Sequence, residues 1–188
     1  MAENDDKQTE SPANNTAQTD QAQPQGPAFA LQRIYLKDTS FESPRSPMVF
    51  QGEWKPNITF NLNTSNSKLA DNVFEVVLKL TIEAKIEEKI GFLVEVQQAG
   101  IFTCAGFNDA ELEQVLASVC PNILYPYARE TVDSLVIRGS FPALMLSPVN
   151  FDSIYAQSKQ RQAEQAAAAQ GGGNTGEGQG QGENQSVN

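Results

Sequence analysis

From Val73 to Ile86 every even-numbered residue is apolar: Phe74, Val76, Leu78, Leu80, Ile82, Ala84 and Ile86. The odd positions include Glu75, Lys79, Thr81, Glu83 and Lys85. A period of two sustained this long fits a β-strand with one face on an apolar core and the other in water. Glu87-Glu88-Lys89 supplies a polar turn, and Ile90–Phe102 (IGFLVEVQQAGIF) follows as a second strand, so the two form a hairpin. The hairpin fixes the rest of the chain to a sheet-containing fold.

Two further strands precede it. Asn57–Asn63 alternates Ile58, Phe60 and Leu62 with Asn and Thr, and Asn63–Asn72 reads as a turn-rich link. Phe29–Phe41 reads as a first, less regular strand, leading through Pro44 and Pro47 to Trp54-Lys55-Pro56. After Phe107 the period changes. Asn108 can cap a helix with Glu111 at the capping-box position, and Leu112, Val115, Leu116 and Val119 mark one face before Pro121 stops it. A second helical stretch runs from about Ile123 to Arg138, with Pro126 near its first turn and Gly139 as its C-terminal cap. A last helix starts near Asn150 with Phe151, Ile154 and Tyr155 inward. The expected class is α+β: a four-stranded antiparallel sheet followed by helices.

Composition divides the chain. Residues 1–27 hold no Leu, Ile, Val or aromatic residue and read as a disordered acidic and polar arm. The arm lacks the basic start and apolar stretch of a signal peptide. Residues 163–188 turn to Gln, Ala and Gly and read as a disordered, flexible tail. All ten Phe, all four Tyr and Trp54 lie in residues 28–162, which is the one domain with material for a core. Apolar runs fall far short of the ~18–20 residues of a membrane span, so a soluble protein is expected.

The chemistry these residues exclude is extensive. The chain has no histidine, which removes Ser-His-Asp triads, Cys-His dyads and imidazole zinc ligands. A net charge of −10 opposes nucleic acid or an anionic lipid surface as the main ligand. No phosphate-binding glycine loop is present, and Glu87-Glu88 and Glu111-x-Glu113 sit where solvated turns or first helical turns place acids. No metal site or enzymatic activity is expected. Cys104 and Cys120 read as a buried, reduced pair in a cytosolic protein, or as a disulfide in an oxidising compartment. Phe41, Phe50, Trp54, Phe60 and Phe141 are interspersed with Pro and Gly. They read either as a core closing over the sheet or as an apolar groove that accepts part of another chain.

Four segments carry a family likeness: QRIYLKDTSFE (Gln32–Glu42), FLVEVQQAGIF (Phe92–Phe102), CPNILYPYARE (Cys120–Glu130) and RGSFPALMLSPVNFD (Arg138–Asp152). In order and spacing they resemble the SecB family of bacterial protein-export chaperones. The resemblance implies a cytoplasmic homotetramer, a dimer of dimers, without enzymatic activity or a cofactor of its own. Relatives bind unfolded precursor proteins and hand them to the translocation ATPase SecA, and any zinc belongs to SecA. By the same resemblance, Asp38, Glu42, Leu93 and Glu95 match the face that docks SecA. Phe92, Val94, Val96 and Gln98 match positions that stabilise the tetramer. Trp54, Ile58, Phe60 and Leu62 match the client groove, with Phe141 and Leu144 as additions. The competing expectation is an adaptor that recognises a defined folded partner.

Overall fold

A computed structural model describes the backbone of residues 26–171 and the side chains of residues 26–167. Residues 1–25 of the expected arm and 172–188 of the expected tail lie outside the described residues.

The hairpin of the even-numbered apolar stripe is the centre of the sheet. Strand β3 (Val73–Ile86) pairs antiparallel with β4 (Lys89–Ala105), and β1 (Ala28–Glu42) and β2 (Asn57–Ala70) flank them in the order β1-β4-β3-β2. Glu87 and Glu88 both take positive φ, 50° and 63°, the geometry of a two-residue hairpin turn. Just past the turn the register steps from Lys85–Ile90 to Ala84–Phe92, leaving Gly91 out of the ladder. A Cβ on Gly91 would lie 3.2 Å from the Trp54 ring and 3.3 Å from the Ala84 carbonyl, so a side chain here would press on both.

Strand β2 is longer than its apolar alternation suggests. Asn63 to Lys68, expected as a link, pair in register with Lys79 to Phe74, and the turn is confined to Asp71 and Asn72. The segment looks turn-like because it is an edge strand whose outer side faces water, which favours Asn, Ser and Thr.

On the inner face, Val76, Leu78, Leu80, Ile82 and Ala84 of β3 meet Phe92, Val94, Val96, Phe102 and Cys104 of β4, all buried. The cover comes from one nearly continuous helical rod. Helix α1 (Asp109–Gln114) begins with the expected capping box: Asn108 accepts from the Glu111 amide at 2.9 Å, and Glu111 accepts from the Asn108 amide at 3.0 Å. A π turn, Val115–Val119, then leads into α2 (Cys120–Arg138). Pro121 therefore does not end the helix. It occupies the first turn of α2 behind the wide π turn, and Pro126 lies inside α2 rather than at its start. Cys120, Leu124, Ala128, Val132 and Val136, each four residues apart, form the buried ridge of α2 against β4 and β3.

Gly139 ends α2 through a bond from its amide to the Leu135 carbonyl at 2.9 Å, but its φ is −73°. The left-handed residue is Ser140, with φ 66°. Glycine at 139 makes room for a ring: a Cβ there would fall 2.2 Å from Cζ of Phe41, so the ring would have to shift. An extended segment leads to α3 (Phe151–Gly171), where Asn150 accepts from the Ser153 amide at 3.0 Å. Phe151 is buried and Tyr155 half-buried, while Ile154 is exposed rather than inward. The helix runs past residue 162, where a tail was expected, because its Gln/Ala-rich sequence holds good helix formers and no breaker before Gly171.

Candidate functional site

The helix layer covers the sheet unevenly. Helix α2 sits on β4 and β3, with a lesser contact to β1, whereas β2 meets the helical layer chiefly through the π turn. The inner side of β2 is therefore a margin. Ile58 and Phe60 are 36 % and 38 % exposed there, opposite Ala84 and Ile82, and Leu62 is half-buried opposite Leu80. All three share the inner face, as their period of two demands.

Beside this margin lies an aromatic cluster. The Trp54 ring is 4.8 Å from Phe141 and stacks on Phe92 at 5.9 Å, and Phe92 meets Phe141 edge-on at 5.0 Å. Phe41 and Phe50 complete it, each within about ring-contact distance of Phe141 (6.2 and 5.2 Å). Ile58 joins the cluster through its row, since Ile58 pairs with Ala84 and Ala84 with Phe92. The structure thus brings Trp54, Ile58, Phe60, Leu62 and Phe141 to one side of the inner face. Phe141 itself is buried and forms the cluster's base, while Phe50 is exposed at 48 %.

Leu144 lies apart from the cluster. Its amide donates to Asp133 of α2 at 2.9 Å, and it lines a surface pocket of about 280 Å³ with Pro126, Arg129 and Leu146. Nearby Met145 is 86 % exposed.

The opposite face of the sheet is polar. Glu42 pairs with Leu93, Ser40 with Glu95 and Asp38 with Gln97, so all four residues matched to the partner-docking face stand on this outer side. Gln97 donates to Asp38 at 3.3 Å. Glu95 is paired with Lys79 at 3.1 Å and accepts from the Thr81 hydroxyl at 3.1 Å. The Lys79 ammonium, and then the Thr81 hydroxyl, hold its carboxyl below the usual carboxylate range. Half-buried Leu93 is flanked by Glu42 on β1 and Glu83 on β3, an apolar spot between acids.

Lys79, Thr81 and Glu83 belong to this surface and were missed as site residues. Their signal was present as the odd positions of the alternating stripe. Which of them faced Leu93 and Glu95 could not be counted from the turn, because the step at Gly91 shifts the pairing by one residue.

Phe92, Val94 and Val96, matched by resemblance to positions that stabilise the tetramer, are buried beneath the helix layer, and Gln98 is buried beside them. The sequence placed them together on one face but could not say what covers that face.

Cys104 on β4 and Cys120 at the start of α2 are both free and buried, and burial pushes both thiols up from their ordinary value. Among the described residues, no group of three or more Cys, Asp or Glu side chains is arranged to hold a metal ion. Among the described residues, no helix is long and apolar enough to cross a membrane.

The class is an α+β domain in which a four-stranded antiparallel sheet is backed by C-terminal helices, with an open apolar margin on one face and acids on the other. A solved structure of this fold is the SecB-like chaperone Rv1957 of Mycobacterium tuberculosis, in complex with a ChAD peptide from the Rv1956 HigA1 antitoxin. It matches with a TM-score of 0.53 at 20 % identity, over 65 % of this chain and 88 % of the other. The family model "Preprotein translocase subunit SecB" matches residues 21–162. The protein-export protein SecB of Hahella chejuensis is 62 % identical over 142 residues, covering 76 % of this chain and 89 % of the relative. That of Marinobacter nauticus is 58 % identical over 139 residues, covering 74 % and 84 %. The chain belongs to the SecB family.

Proposed function

We infer that the protein is an ATP-independent chaperone of protein export: it binds unfolded precursor proteins, keeps them translocation-competent, and passes them to the translocation ATPase SecA. The observation that carries this reading is the uncovered inner side of β2 beside the Trp54–Phe92–Phe141 cluster, in a chain of the SecB family. An unfolded chain exposes apolar side chains that a folded protein has buried, and a margin of Ile58, Phe60 and Leu62 gains roughly 25 cal/mol per Å² of such surface. That gain demands little sequence. The fold relative from Mycobacterium tuberculosis was solved with a peptide bound, which agrees with a fold able to hold a segment of another chain.

The outer face supplies the handover. Asp38, Glu42, Glu95 and the interposed Leu93 suit a basic segment of SecA carrying an apolar residue. Clients and SecA then occupy opposite sides of one sheet. Release follows from transfer on SecA binding, since the sequence holds no nucleotide loop to drive it. We assign the protein no catalytic step and no cofactor. Assembly as a dimer of dimers in the cytoplasm completes the reading, with several margins per assembly raising avidity for a long client. Phe92, Val94, Val96 and Gln98 would affect assembly only indirectly, by seating the helix layer.

The test is light scattering of an unrelated refolding protein with the full chain and without ATP. Suppression near one tetramer per client is expected, and the native form of the same protein should not bind. Absence of suppression removes the holding role.

A further inference from the structure

Strand β1 changes face within its length. Its register shifts between Leu31 and Arg33 and again between Leu36 and Asp38. Tyr35 stands opposite Ala99 on the outer side, so unbroken alternation from there would send Lys37, Thr39 and Phe41 outward and Asp38 and Glu42 into the core. The second shift, at Lys37, reverses that outcome. Asp38 and Glu42 face outward, and Phe41 enters the aromatic cluster against Phe92 and Phe141.

A bulge gives up ladder pairing and needs compensation to persist. Here the extra residue is itself tied down. The Lys37 ammonium donates to both carboxylate oxygens of Glu75 on β3, at 2.8 Å each. The Tyr35 hydroxyl donates to the same carboxylate, and Ser67 of β2 adds a bond at 3.4 Å. Lys37 and Tyr35 span the intervening strand β4 to reach it. Ala99 lies beneath them with no exposure at all, and Val77 is buried beside it, although both stand on the water-facing side. The Glu75 side chain is only 13 % exposed against 42 % for Lys37. Four groups from three strands thus converge where β1 changes phase.

We propose that the Lys37–Glu75–Tyr35 cluster is a positioning device that clamps this bulge, turning Asp38 and Glu42 toward SecA and Phe41 toward the client cluster. The proposal rests on the reading of the outer face as the SecA surface. Lys37, Glu75 and Tyr35 act through Asp38 and Glu42 and need not touch the partner. One bulge therefore sets the acids of one binding side and an aromatic ring of the other.

The sign of one substitution separates this role from simple charge. Lys37→Met removes a cation from an acidic face, so charge alone predicts tighter binding of a basic partner. The clamp predicts weaker binding, roughly threefold to fivefold, when full-length SecA is titrated into the full chain. Glu75→Gln, which keeps the side-chain shape, should weaken it in the same direction by less. Lys37→Glu combined with Glu75→Lys should recover affinity. In a cycle with Asp38→Asn the two losses should not add, because Lys37 works through Asp38. Tighter or unchanged binding of Lys37→Met, or full additivity in the cycle, overturns the proposal.

The chain alone gives an independent readout. Loss of the clamp should speed amide exchange across residues 37–42 and shift the emission of Trp54, the single tryptophan, as Phe41 leaves its cluster. If Asp38→Lys with Glu95→Lys leaves SecA binding unchanged, the docking reading fails. The clamp is then decided by exchange: faster exchange in Lys37→Met supports it and unchanged exchange overturns it.

Discussion

The inner side of β3 and β4 and the inner side of β2 carry the same kind of residue at the same spacing, yet one is core and the other is margin. Leu80 and Ile82 have no exposure, whereas Ile58 and Phe60, one strand away, are more than a third exposed. The difference lies in where α2 stops, since the helix spans β4 and β3 and leaves β2 largely bare. Residue type alone did not make the margin. A cover narrower than the sheet did.

The sharpest way to break this comparison is to truncate on both sides of the boundary. Phe92→Ala should cost about 3–5 kcal/mol in chemical denaturation, because Phe92 is buried and touches Trp54, Phe41 and Phe141. Gly139→Ala should come next, at about 1–3 kcal/mol, since its new methyl must displace the Phe41 ring. Ile58→Ser with Phe60→Ser should lower stability by only about 1 kcal/mol or less while sharply reducing suppression of client aggregation. A stability loss as large as that of Phe92→Ala would mean the margin is core after all.

The smallest effect concerns the outer face and pH. The Tyr35 hydroxyl is pushed from 10.0 to about 12, chiefly by its bond to Glu75 and then by burial. A raised value means the folded state holds the proton more tightly than the unfolded chain. The contribution is whole below pH about 10 and fades as pH rises toward about 12. Glu75 behaves oppositely, with Lys37 and then Tyr35 holding its carboxyl low, so its contribution is lost on the acid side, as pH falls through the lowered value. Tyr35→Phe should be slightly less stable than the parent at neutral pH, with the two denaturation curves converging by about pH 12. A constant gap from pH 9 to 12 would show that the phenol proton contributes nothing.

These contrasts also mark what the sequence could disclose. The stripe from Phe74 to Ile86 reads directly as β3 because its even positions are all apolar and most of its odd positions are polar. The capping box at Asn108 reads equally well, being a local exchange of two bonds. The sequence shows β2 too short because its far half has little core to face, and it shows a break at Pro121 within the α1–π–α2 rod because a π turn carries no compositional mark. At the site, the grouping of Leu93 with Glu95, and of Phe92 with Val94 and Val96, follows from alternation alone. The meeting of Asp38 with that face does not, because it depends on a bulge held by a residue of a different strand. What lies over the inward positions is illegible for a related reason: a period of two identifies a face but not its cover.

The two sulfurs at the joint between β4 and α2 have a practical corollary. Enclosed and disinclined to ionise, Cys104 and Cys120 offer little to alkylating reagents or mild oxidants. A third cysteine installed on the bare inner side of β2, at Asn66 for instance, which is exposed opposite Val76, would be the reactive one, and a fluorophore or cross-linker attached there would report on an arriving polypeptide without first stripping the native pair.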